Sequence, residues 1–317
     1  MKTSILITGG TGFVGGRIAR HLSACGYSVL ISSRKELGQE MIKEHGAIGS
    51  FIHDALLDMD KFPGGIGTVI HMAALNEWDC LKYPSEAIRV NIDETRIILE
   101  NAIAKGVRRF IYFSTAHIYG ELKGTITEQT LPIPSHPYAI THHAAEDFVI
   151  AAAMKKRIDG LVIRLSNSFG APIVPTVNRW TLLANDLARQ AVEHKSLKLL
   201  SNGCQYRDFV CLTDVEHIIE QLIEKTPGML KHNLYNLGAG VSMKVIDLAR
   251  TIVSRYALLF GKNISLLLPE GSVTVEEPTL DFSVERLKSE GFGLANDFHA
   301  ELDSLLLFCK QHFVPID

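Results

Sequence analysis

Short apolar runs alternate with segments of helical periodicity along the first half of the chain. Residues 2–9 (KTSILITG) carry no charge after Lys2, which is typical of a strand buried on both faces of a parallel sheet. Residues 16–26 follow with Ile18, Ala19 and Leu22 at helical spacing. We therefore expect a strand, a turn and a helix at the start of the chain.

The same alternation continues as far as residue 172. It predicts further strands within residues 28–36, 49–58, 68–75, 109–120 and 160–172, the third strand of the chain ending at Asp54. Helices are expected over residues 91–107, closed by Gly106, and from Pro137 through an alanine-rich, largely apolar segment. Strands that alternate with helices predict a doubly wound parallel sheet, the Rossmann-type α/β fold.

A change of composition near Ala171 marks a second, smaller α/β region. Prolines follow this residue, and then a helix at residues 181–193, short strands at 197–200 and 208–212, and an amphipathic helix at 300–313. Residues 233–240 (NLYNLGAG) are typical of one more strand, which either stays in this region or rejoins the large sheet. We therefore divide the chain into a Rossmann domain, residues 1–170, and a smaller C-terminal region, residues 171–317.

The turn after the first strand has the composition of a dinucleotide-binding turn. In TGGTGFVG (residues 8–15), Gly9 permits a tight turn, Gly12 lets the backbone approach a pyrophosphate, and Gly15 lets the helix pack closely. The free N–H groups at the helix N-terminus then favour phosphate. The residues expected at the cofactor are Gly9, Thr11, Gly12, Phe13, Val14 and Gly15. A glycine-rich turn that binds nothing is the alternative.

The ends of the next three strands offer further cofactor contacts. After the second strand, Ser33 is neutral and Arg34 and Lys35 are cationic, which favours NADP(H) over NAD(H), because an acidic residue here would bond the ribose 2′-hydroxyl. Solvated loop charges are the alternative interpretation. Asp54 is predicted to accept from the adenine amino group, and the small Ala73 and Ala74 leave room for the cofactor. We interpret the neighbouring His71 as a packed residue.

The composition argues against nucleic acid, a membrane surface or a metal ion as a partner. The chain has 317 residues, 46% of them hydrophobic, and a net charge of −3, which favours neither nucleic acid nor a membrane surface. The five cysteines form no C-x-x-C pair, so we predict no metal site and a reducing, cytoplasmic setting. With a strand from residue 2, we expect no signal peptide.

Eight stretches in order along the chain carry a family resemblance. The chain resembles the extended short-chain dehydrogenases/reductases of the NAD(P)-dependent nucleotide-sugar epimerase/dehydratase branch. The stretches are TGGTGFVG at Thr8, HMAA at His71, VNIDET at Val90, FSTAHIYG at Phe113, Tyr138 before a helix, RLSNSFG at Arg164, RDFVCLTDV at Arg207 and YNLGAG at Tyr235. The resemblance implies hydride transfer between a nicotinamide and a sugar carbon, with the C-terminal region binding the substrate.

The resemblance also implies a role for particular residues. Tyr138 takes the place of the acid/base and Thr115 that of the hydroxyl that hydrogen-bonds the reacting oxygen; Asn91 is assigned to the cofactor. The family has a lysine four residues after the tyrosine, where this chain has His142. A histidine is mostly neutral at pH 7 and should stabilise tyrosinate less than lysine does. His142 is therefore predicted either to leave Tyr138 a poorer base or to relay a proton, and a degenerate site that only binds cofactor is the alternative.

The residues at the substrate positions limit which reactions the resemblance implies. Dehydratases of this branch have an Asp-Glu pair after the threonine, where this chain has Ala116 and His117, which argues against 4,6-dehydration. Asn167 and Arg207 match positions that hold the nucleotide diphosphate, and His117 borders the substrate. The second arginine that the family carries near Asp281 is missing from VTVEEPTLD.

Three hypotheses follow from these matches. The first is reduction of a nucleotide keto-sugar, which the cofactor prediction slightly favours, or C4-type epimerisation. The second is reduction of a smaller carbonyl compound, which the missing arginine favours. The third is a protein that binds cofactor without turnover. The apolar helices at residues 91–105 and 138–155 further suggest a homodimer, as in the family.

Overall fold

The computed structural model describes residues 3–271, 277–295 and 297–313. Strands and helices alternate through most of the chain, as the apolar pattern predicts. In chain order they are β1 (Ser4–Thr8), α1 (Phe13–Ala24), β2 (Ser28–Ser33), α2 (Gln39–Glu44), β3 (Gly49–Ile52), β4 (Ile66–His71), α3 (Glu77–Lys82), α4 (Pro84–Ala87), α5 (Thr95–Ala104), β5 (Arg109–Thr115), β6 (Gly124–Ile126), α6 (Pro137–Met154), β7 (Asp159–Leu165), β8 (Asn167–Phe169), α7 (Leu183–Glu193), β9 (Ser196–Lys198), β10 (Tyr206–Cys211), α8 (Leu212–Glu224), β11 (Leu234–Leu237), β12 (Ser242–Lys244), α9 (Val245–Phe260), β13 (Ser265–Leu267), β14 (Leu280–Phe282), α10 (Glu285–Ser289) and α11 (Phe298–His312).

Seven parallel strands form the central sheet, in the order β11-β7-β5-β4-β1-β2-β3. The doubly wound Rossmann-type sheet predicted from the sequence is confirmed. β11, which lies far along the chain, pairs with β7 at the edge of this sheet. Because all seven strands are parallel, their carboxyl ends lie along one edge, where ligands bind in folds of this kind.

Helices cover both faces of the sheet because side chains alternate along each strand. Ile5 and Ile7 of β1 pack in one core with residues of α1 and α8, whereas Leu6 packs in another with residues of α5 and α6. α6 approaches β7 closely, since a Cβ at Gly160 would lie 2.9 Å from the Val149 carbonyl oxygen. Each face is thus a separate apolar layer.

The C-terminal region has a third apolar core of its own. Residues of α7, α9 and α11 pack there around Phe169 and Phe209. A smaller sheet of order β12-β10-β8 lies beside this core, with β10 and β8 parallel and β12 antiparallel. The division of the chain at residue 170 stays a prediction.

Several predicted boundaries were wrong by a few residues. The third strand ends at Ile52, and Asp54 lies in a 3₁₀ helix (His53–Leu57), because the backbone turns two residues before the predicted end. The helix expected from Asn91 begins earlier, as a π-helical segment (Ile88–Glu94) that leads into α5. Two elements of the C-terminal region are also displaced, α7 starting at Leu183 and β9 ending at Lys198. Among the described residues, none of the helices is both long and apolar enough to cross a membrane.

Candidate functional site

The glycine turn directly follows β1 at the carboxyl edge of the sheet. Gly9 has φ +67°, in the left-handed region that favours glycine, and its carbonyl accepts from the Gly12 N–H at 2.9 Å. α1 then begins, with no side chain capping its first turn and no acidic residue there. The N–H groups of that turn are therefore available to an anion. Phe13 is buried, so a cofactor could meet it only through its backbone.

Close packing around the turn depends on two glycines. A Cβ at Gly15 would lie 2.4 Å from the Gly9 carbonyl oxygen, so Gly15 packs the helix against the turn itself. A Cβ at Gly10 would lie 2.5 Å from Cγ2 of Ile31 on β2. Sequence reasoning gave no role to Gly10, although its place in the glycine run was a signal.

A buried hydrogen-bond chain joins β1, β4 and α5 near the carboxyl edge of the sheet. The Thr8 hydroxyl lies 2.8 Å from Nδ1 of His71 and accepts from the N–H groups of Met72 and Ala73 at 3.0 and 3.1 Å. Nε2 of His71 lies 2.9 Å from the Thr95 hydroxyl. Burial lowers the pKa of His71 to about 3, so the imidazole is neutral. His71 is thus a packed residue, and Thr8, which sequence reasoning missed, positions the Ala73 backbone.

Asn91 is buried and its amide is used within the protein. The Oδ1 atom accepts from the Leu75 N–H at 2.8 Å, and Nδ2 donates to the Thr141 hydroxyl at 3.0 Å. These bonds tie the loop after β4 to α6. A direct contact between Asn91 and the cofactor stays a prediction, as does the contact of the half-buried Ala74 in the same loop.

The residues predicted to meet the adenosine end of the cofactor lie at the ends of β2 and β3. Ser33 is half-buried, whereas Arg34, Lys35 and Asp54 are exposed. The Ser33 hydroxyl accepts from the Lys35 N–H at 3.4 Å, which shapes the loop after β2. All four side chains follow strands at the same edge as the glycine turn.

Tyr138, Thr115 and His142 come together at the end of β5 and the first turns of α6. Thr115 hydrogen-bonds Tyr138 and accepts from the His117 N–H at 3.1 Å. The rings of Tyr138 and His142 lie 4.4 Å apart, edge to face, because residues four apart share one helical face. The structure therefore brings together the three residues that the sequence assigned to catalysis.

Charges near Tyr138 come from two residues that sequence reasoning missed. Burial raises the pKa of Tyr138 well above its usual value of about 10, the Glu77 carboxylate raises it further, and Arg179 and the Thr115 hydrogen bond oppose the rise. Glu77 lies on α3, and its carboxylate is 3.8 Å from the Arg179 guanidinium. Neither residue belongs to a recognisable motif, so only the fold relates them to Tyr138.

His142 is buried and has one used and one unused nitrogen. Its Nδ1 lies 2.7 Å from the Tyr112 hydroxyl, and its Nε2 has no hydrogen-bond partner among the described residues. Burial, aided by Arg179, lowers the pKa of His142 to about 3, so the imidazole is uncharged at neutral pH. Tyr112 is the partner, and its place on β5 gave no signal in the sequence.

A cavity of about 670 Å³ opens next to this cluster. His117, Asn167 and Arg207, the three predicted substrate residues, all line it, together with residues of α7 and of the segment 198–201. The rings of His117 and Tyr138 lie 6.5 Å apart, so the cavity adjoins the cluster of Tyr138, Thr115 and His142. Its volume is within the range of small-molecule sites, about 300–1,000 Å³.

Arg207 lines this cavity without a carboxylate partner among the described residues. Its Nε atom is buried and unbonded there, and burial alone lowers the pKa of Arg207. The adjacent Asp208 does not neutralise it, because the Asp208 carboxylate accepts from Ser166 and from the N–H groups of Ala239 and Gly240. Asn167 donates from Nδ2 to the Asp208 carbonyl at 2.9 Å. The segment in which the resemblance implies a second arginine, residues 273–281, falls partly on residues 272–276, which lie outside the described residues.

Comparison with known proteins gives a family match. The model of the NAD dependent epimerase/dehydratase family matches residues 5–238. A trifunctional UDP-glucose 4,6-dehydratase/UDP-4-keto-6-deoxy-D-glucose 3,5-epimerase/UDP-4-keto-L-rhamnose-reductase of Arabidopsis thaliana is 28% identical over 86% of the chain, which spans only 41% of that longer protein. The dTDP-glucose 4,6-dehydratase of Escherichia coli is 29% identical over 78% of the chain and 75% of the enzyme.

Solved structures agree in fold. The UDP-glucuronic acid 4-epimerase of Bacillus cereus, in complex with UDP-glucuronic acid and NAD, superposes with a TM-score of 0.79 at 23% identity, over 98% of this chain and 100% of that one. At that identity the likeness concerns the fold. The family match over residues 5–238 is what identifies the protein: it belongs to the NAD-dependent epimerase/dehydratase family of extended short-chain dehydrogenases/reductases.

Proposed function

We propose that the protein is an NAD(P)-dependent oxidoreductase acting on a nucleotide-activated sugar, with keto-sugar reduction as its principal reaction and C4-type epimerisation as the related alternative. The observation that carries the proposal is Arg207, which lines a cavity of about 670 Å³ and whose buried Nε has no hydrogen-bond partner in the part of the chain that the structure describes. A guanidinium without a carboxylate partner suits a diphosphate, which it can bond at two oxygens.

The residues of the carboxyl edge fit a nicotinamide dinucleotide. The uncapped first turn of α1 suits the pyrophosphate, and the unused Nε2 of His142 suits a ribose hydroxyl. When bound, the cofactor supplies or accepts the hydride. The Tyr138 hydroxyl gives its proton to the carbonyl oxygen that becomes an alcohol, and the Thr115 hydroxyl hydrogen-bonds that oxygen.

The residues after Thr115 distinguish this reaction from dehydration. Elimination of water needs an acid for the leaving hydroxyl and a base for the carbon-bound proton. Ala116 can act neither as the acid nor as the base, so His117 would have to perform both roles. Dehydratases are among the relatives, so the proposal against dehydration depends on these two positions.

NADP(H) is the proposed cofactor. Arg34 and Lys35 are exposed at the end of β2, beside the neutral Ser33, and both can meet a 2′-phosphate. The structure of the Bacillus cereus epimerase contains NAD, so the affinities of this protein for NADP(H) and NAD(H) need to be compared directly.

A panel assay tests the reaction. The pure protein is mixed with NADPH or NADH and with UDP- and dTDP-linked 4-keto-sugars, and nicotinamide absorbance is followed. We expect the absorbance to fall and the sugar to gain a hydroxyl, and Tyr138→Phe to abolish both changes. Epimerised sugar without net cofactor use would identify the alternative reaction, whereas release of water from a nucleotide hexose would contradict the proposal.

A reductase of a smaller carbonyl compound is the second candidate function. It is favoured by residues 277–281, which are described and contain no arginine. The same assay with aldehydes and ketones that carry no nucleotide separates the two. Cofactor binding without turnover of any compound would indicate the third hypothesis, a protein that binds without catalysis.

We further propose a homodimer formed through α6 and its neighbours, in a reducing cytoplasmic setting. Ile140, Phe148 and Ala151 are exposed on one face of α6, and Ile88 is exposed on the π-helical segment that packs against it. Exposed apolar side chains that share a face commonly form an interface. Sedimentation at micromolar concentration tests the dimer, and a monomer mass would reject it; fractionation of cells tests the setting.

A further inference from the structure

His142 and Tyr112 form a buried pair, of which the proposed function gives a part to His142 alone. Tyr112 lies on β5 and His142 on α6, and their side chains are 2% and 3% exposed. The Tyr112 hydroxyl is 2.7 Å from Nδ1 of His142. The Tyr112 ring lies between two imidazoles: it stacks on His71 at 5.9 Å and is tilted by 35° to His142 at 5.8 Å. The pair is therefore fixed in place by packing as well as by the hydrogen bond.

The hydrogen bond determines which nitrogen of His142 carries the proton. Among the described residues, Nδ1 of His142 is the partner found for the Tyr112 hydroxyl. A phenol is the stronger donor and a neutral imidazole nitrogen the stronger acceptor, so Tyr112 donates and Nδ1 accepts. A neutral imidazole that accepts at Nδ1 carries its proton on Nε2.

Nε2 of His142 is then a hydrogen-bond donor that has no acceptor among the described residues. It is buried, and no described group of the protein bonds it. Buried donors are almost always satisfied, so an orphan of this kind needs an explanation such as an absent ligand. The imidazole also lies against the ring of Tyr138, at 4.4 Å, which is where the reacting carbonyl and the nicotinamide would meet in the proposed function.

We propose that Tyr112 is a positioning residue of this site: it fixes His142 as a neutral donor whose Nε2–H is held for a ribose hydroxyl of the nicotinamide cofactor. This inference rests on the proposed function. The pair takes over the hydrogen bond that a lysine at position 142 would make, but it brings no positive charge to Tyr138.

Because His142 carries no positive charge, the site should favour reduction of a ketone over oxidation of an alcohol. The groups near Tyr138 are Glu77 and Cys80 on α3, Arg179 before α7, Tyr112, Thr115 and His117 on β5 or at its end, His142 on α6, and His136, which bonds the Tyr138 backbone N–H. Arg179 is the single cation named among them, and Glu77 partly neutralises it at 3.8 Å. Tyr138 therefore stays protonated, which suits a group that donates a proton during reduction of a ketone and makes it a poor base for oxidation of an alcohol.

Cofactor binding and histidine NMR test the inference without relying on activity. We expect Tyr112→Phe to weaken NADPH binding, followed by nicotinamide fluorescence, by roughly 2- to 10-fold, as the loss of one oriented hydrogen bond predicts. The KM for the sugar should stay unchanged. In ¹⁵N spectra, His142 of the wild-type protein should be the Nε2–H tautomer at neutral pH, and Tyr112→Phe should populate both tautomers.

Two substitutions at His142 form a matched pair. The amide nitrogen of His142→Gln reaches the position of Nε2, whereas that of His142→Asn reaches only the position of Nδ1. We expect the glutamine variant to bind NADPH within about 3-fold of wild type, and the asparagine variant to bind more weakly, by an amount comparable to Tyr112→Phe.

Tyr235→Phe is the control for loss of a buried phenol from the same sheet. Tyr235 is fully buried on β11, and its hydroxyl donates to Glu290 at 3.1 Å. It should leave NADPH binding unchanged, and circular dichroism checks the folding of every variant. An Nδ1–H tautomer or a charged imidazole in the wild-type protein, or unaltered NADPH binding by Tyr112→Phe, would overturn the inference alone. A wild-type protein that binds neither NADPH nor NADH would overturn the proposed function and this inference with it.

Discussion

The ring of His142 lies 4.4 Å from the ring of Tyr138, at an angle of 65°, with one turn of α6 between the two residues. A neutral imidazole thus stands where relatives of this family are expected to carry an ammonium group. Tyr138 is half-buried, and desolvation of its phenol raises the pKa of Tyr138, so the proton is held more tightly than in water. The chemistry of the site follows from this pairing.

Removing the Tyr138 hydroxyl should greatly slow the reaction and leave cofactor affinity nearly unchanged. We expect Tyr138→Phe to lower kcat by roughly 10²- to 10⁴-fold, the usual contribution of a positioned acid or base. NADPH affinity should change little, because the ring itself is kept. Turnover is measured by nicotinamide absorbance, with Tyr256→Phe, which alters a buried tyrosine of α9, as the control. Wild-type turnover by the Tyr138 variant would exclude this tyrosine as the acid.

Restoring a cation next to Tyr138 should favour the oxidative direction. The pKa of Tyr138 is raised in the protein, so its basic form appears only at high pH, and alcohol oxidation should increase with pH through the alkaline range. A cation lowers the pKa of a neighbouring phenol. We therefore expect His142→Lys to keep or raise turnover and to move the rise in the oxidation rate to lower pH. The measurement is kcat against pH in both directions.

His142→Met is the matched control for this prediction, because its side chain is of similar length and uncharged. It should leave the pH profile where the wild-type protein has it. Loss of activity in His142→Lys would show instead that the imidazole has a role that a charged amine cannot fill.

Neutralising Arg207 should weaken binding of the nucleotide sugar without harming the fold. Hydrogen bonds to charged groups are worth about 1.5–3 kcal/mol, so we expect Arg207→Gln to raise KM roughly 10- to 100-fold with little change in kcat. Because burial without a carboxylate disfavours the charge, the melting temperature should stay the same or rise.

Arg250→Gln is the control for Arg207. Arg250 is exposed on α9 and pairs with Asp247 at 3.1 Å, so its loss should change neither KM nor the melting temperature appreciably. An Arg207→Gln variant with unchanged KM for every nucleotide sugar, but with normal turnover of a small ketone, would favour the second candidate function.

Reversing the charge after β2 should change the cofactor preference. An acidic side chain there bonds the ribose 2′-hydroxyl and repels a 2′-phosphate. We expect Arg34→Asp to raise the KM for NADPH at least about 10-fold while the KM for NADH stays or falls. Lys43→Asp makes the same change of charge at an exposed position on α2 and should leave both values unaltered. Equal effects of the two substitutions on NADPH would indicate a general loss of positive charge.

Local sequence predicted the elements that depend on neighbours in the chain. The apolar run of β1, the φ requirement of Gly9 and the periodicity of α1 each involve only a few adjacent residues, so the strand, turn and helix could be inferred from them. Tyr138, Thr115 and His142 could be predicted as site residues because they belong to motifs; the structure places them together, and their role stays a prediction. The end of β3 was missed because the 3₁₀ helix at His53 has no pattern that separates it from a strand.

The sequence by itself determined the alternation of strands and helices in the first half of the chain, the glycine turn and which residues stand at the motif positions predicted to be catalytic. Only the tertiary structure decided which polar groups meet. Tyr112 and His142 are 30 residues apart, and Thr8 and His71 are 63 apart. The Thr8–His71 pair forms because β1 and β4, which are distant in sequence, are neighbours in the parallel sheet. The Tyr112–His142 pair forms because α6 packs on that sheet next to β5. Within the described part of the chain, Nε2 of His142 and Nε of Arg207 are left without hydrogen-bond partners by that arrangement, because whether a buried group finds a partner depends on everything packed around it.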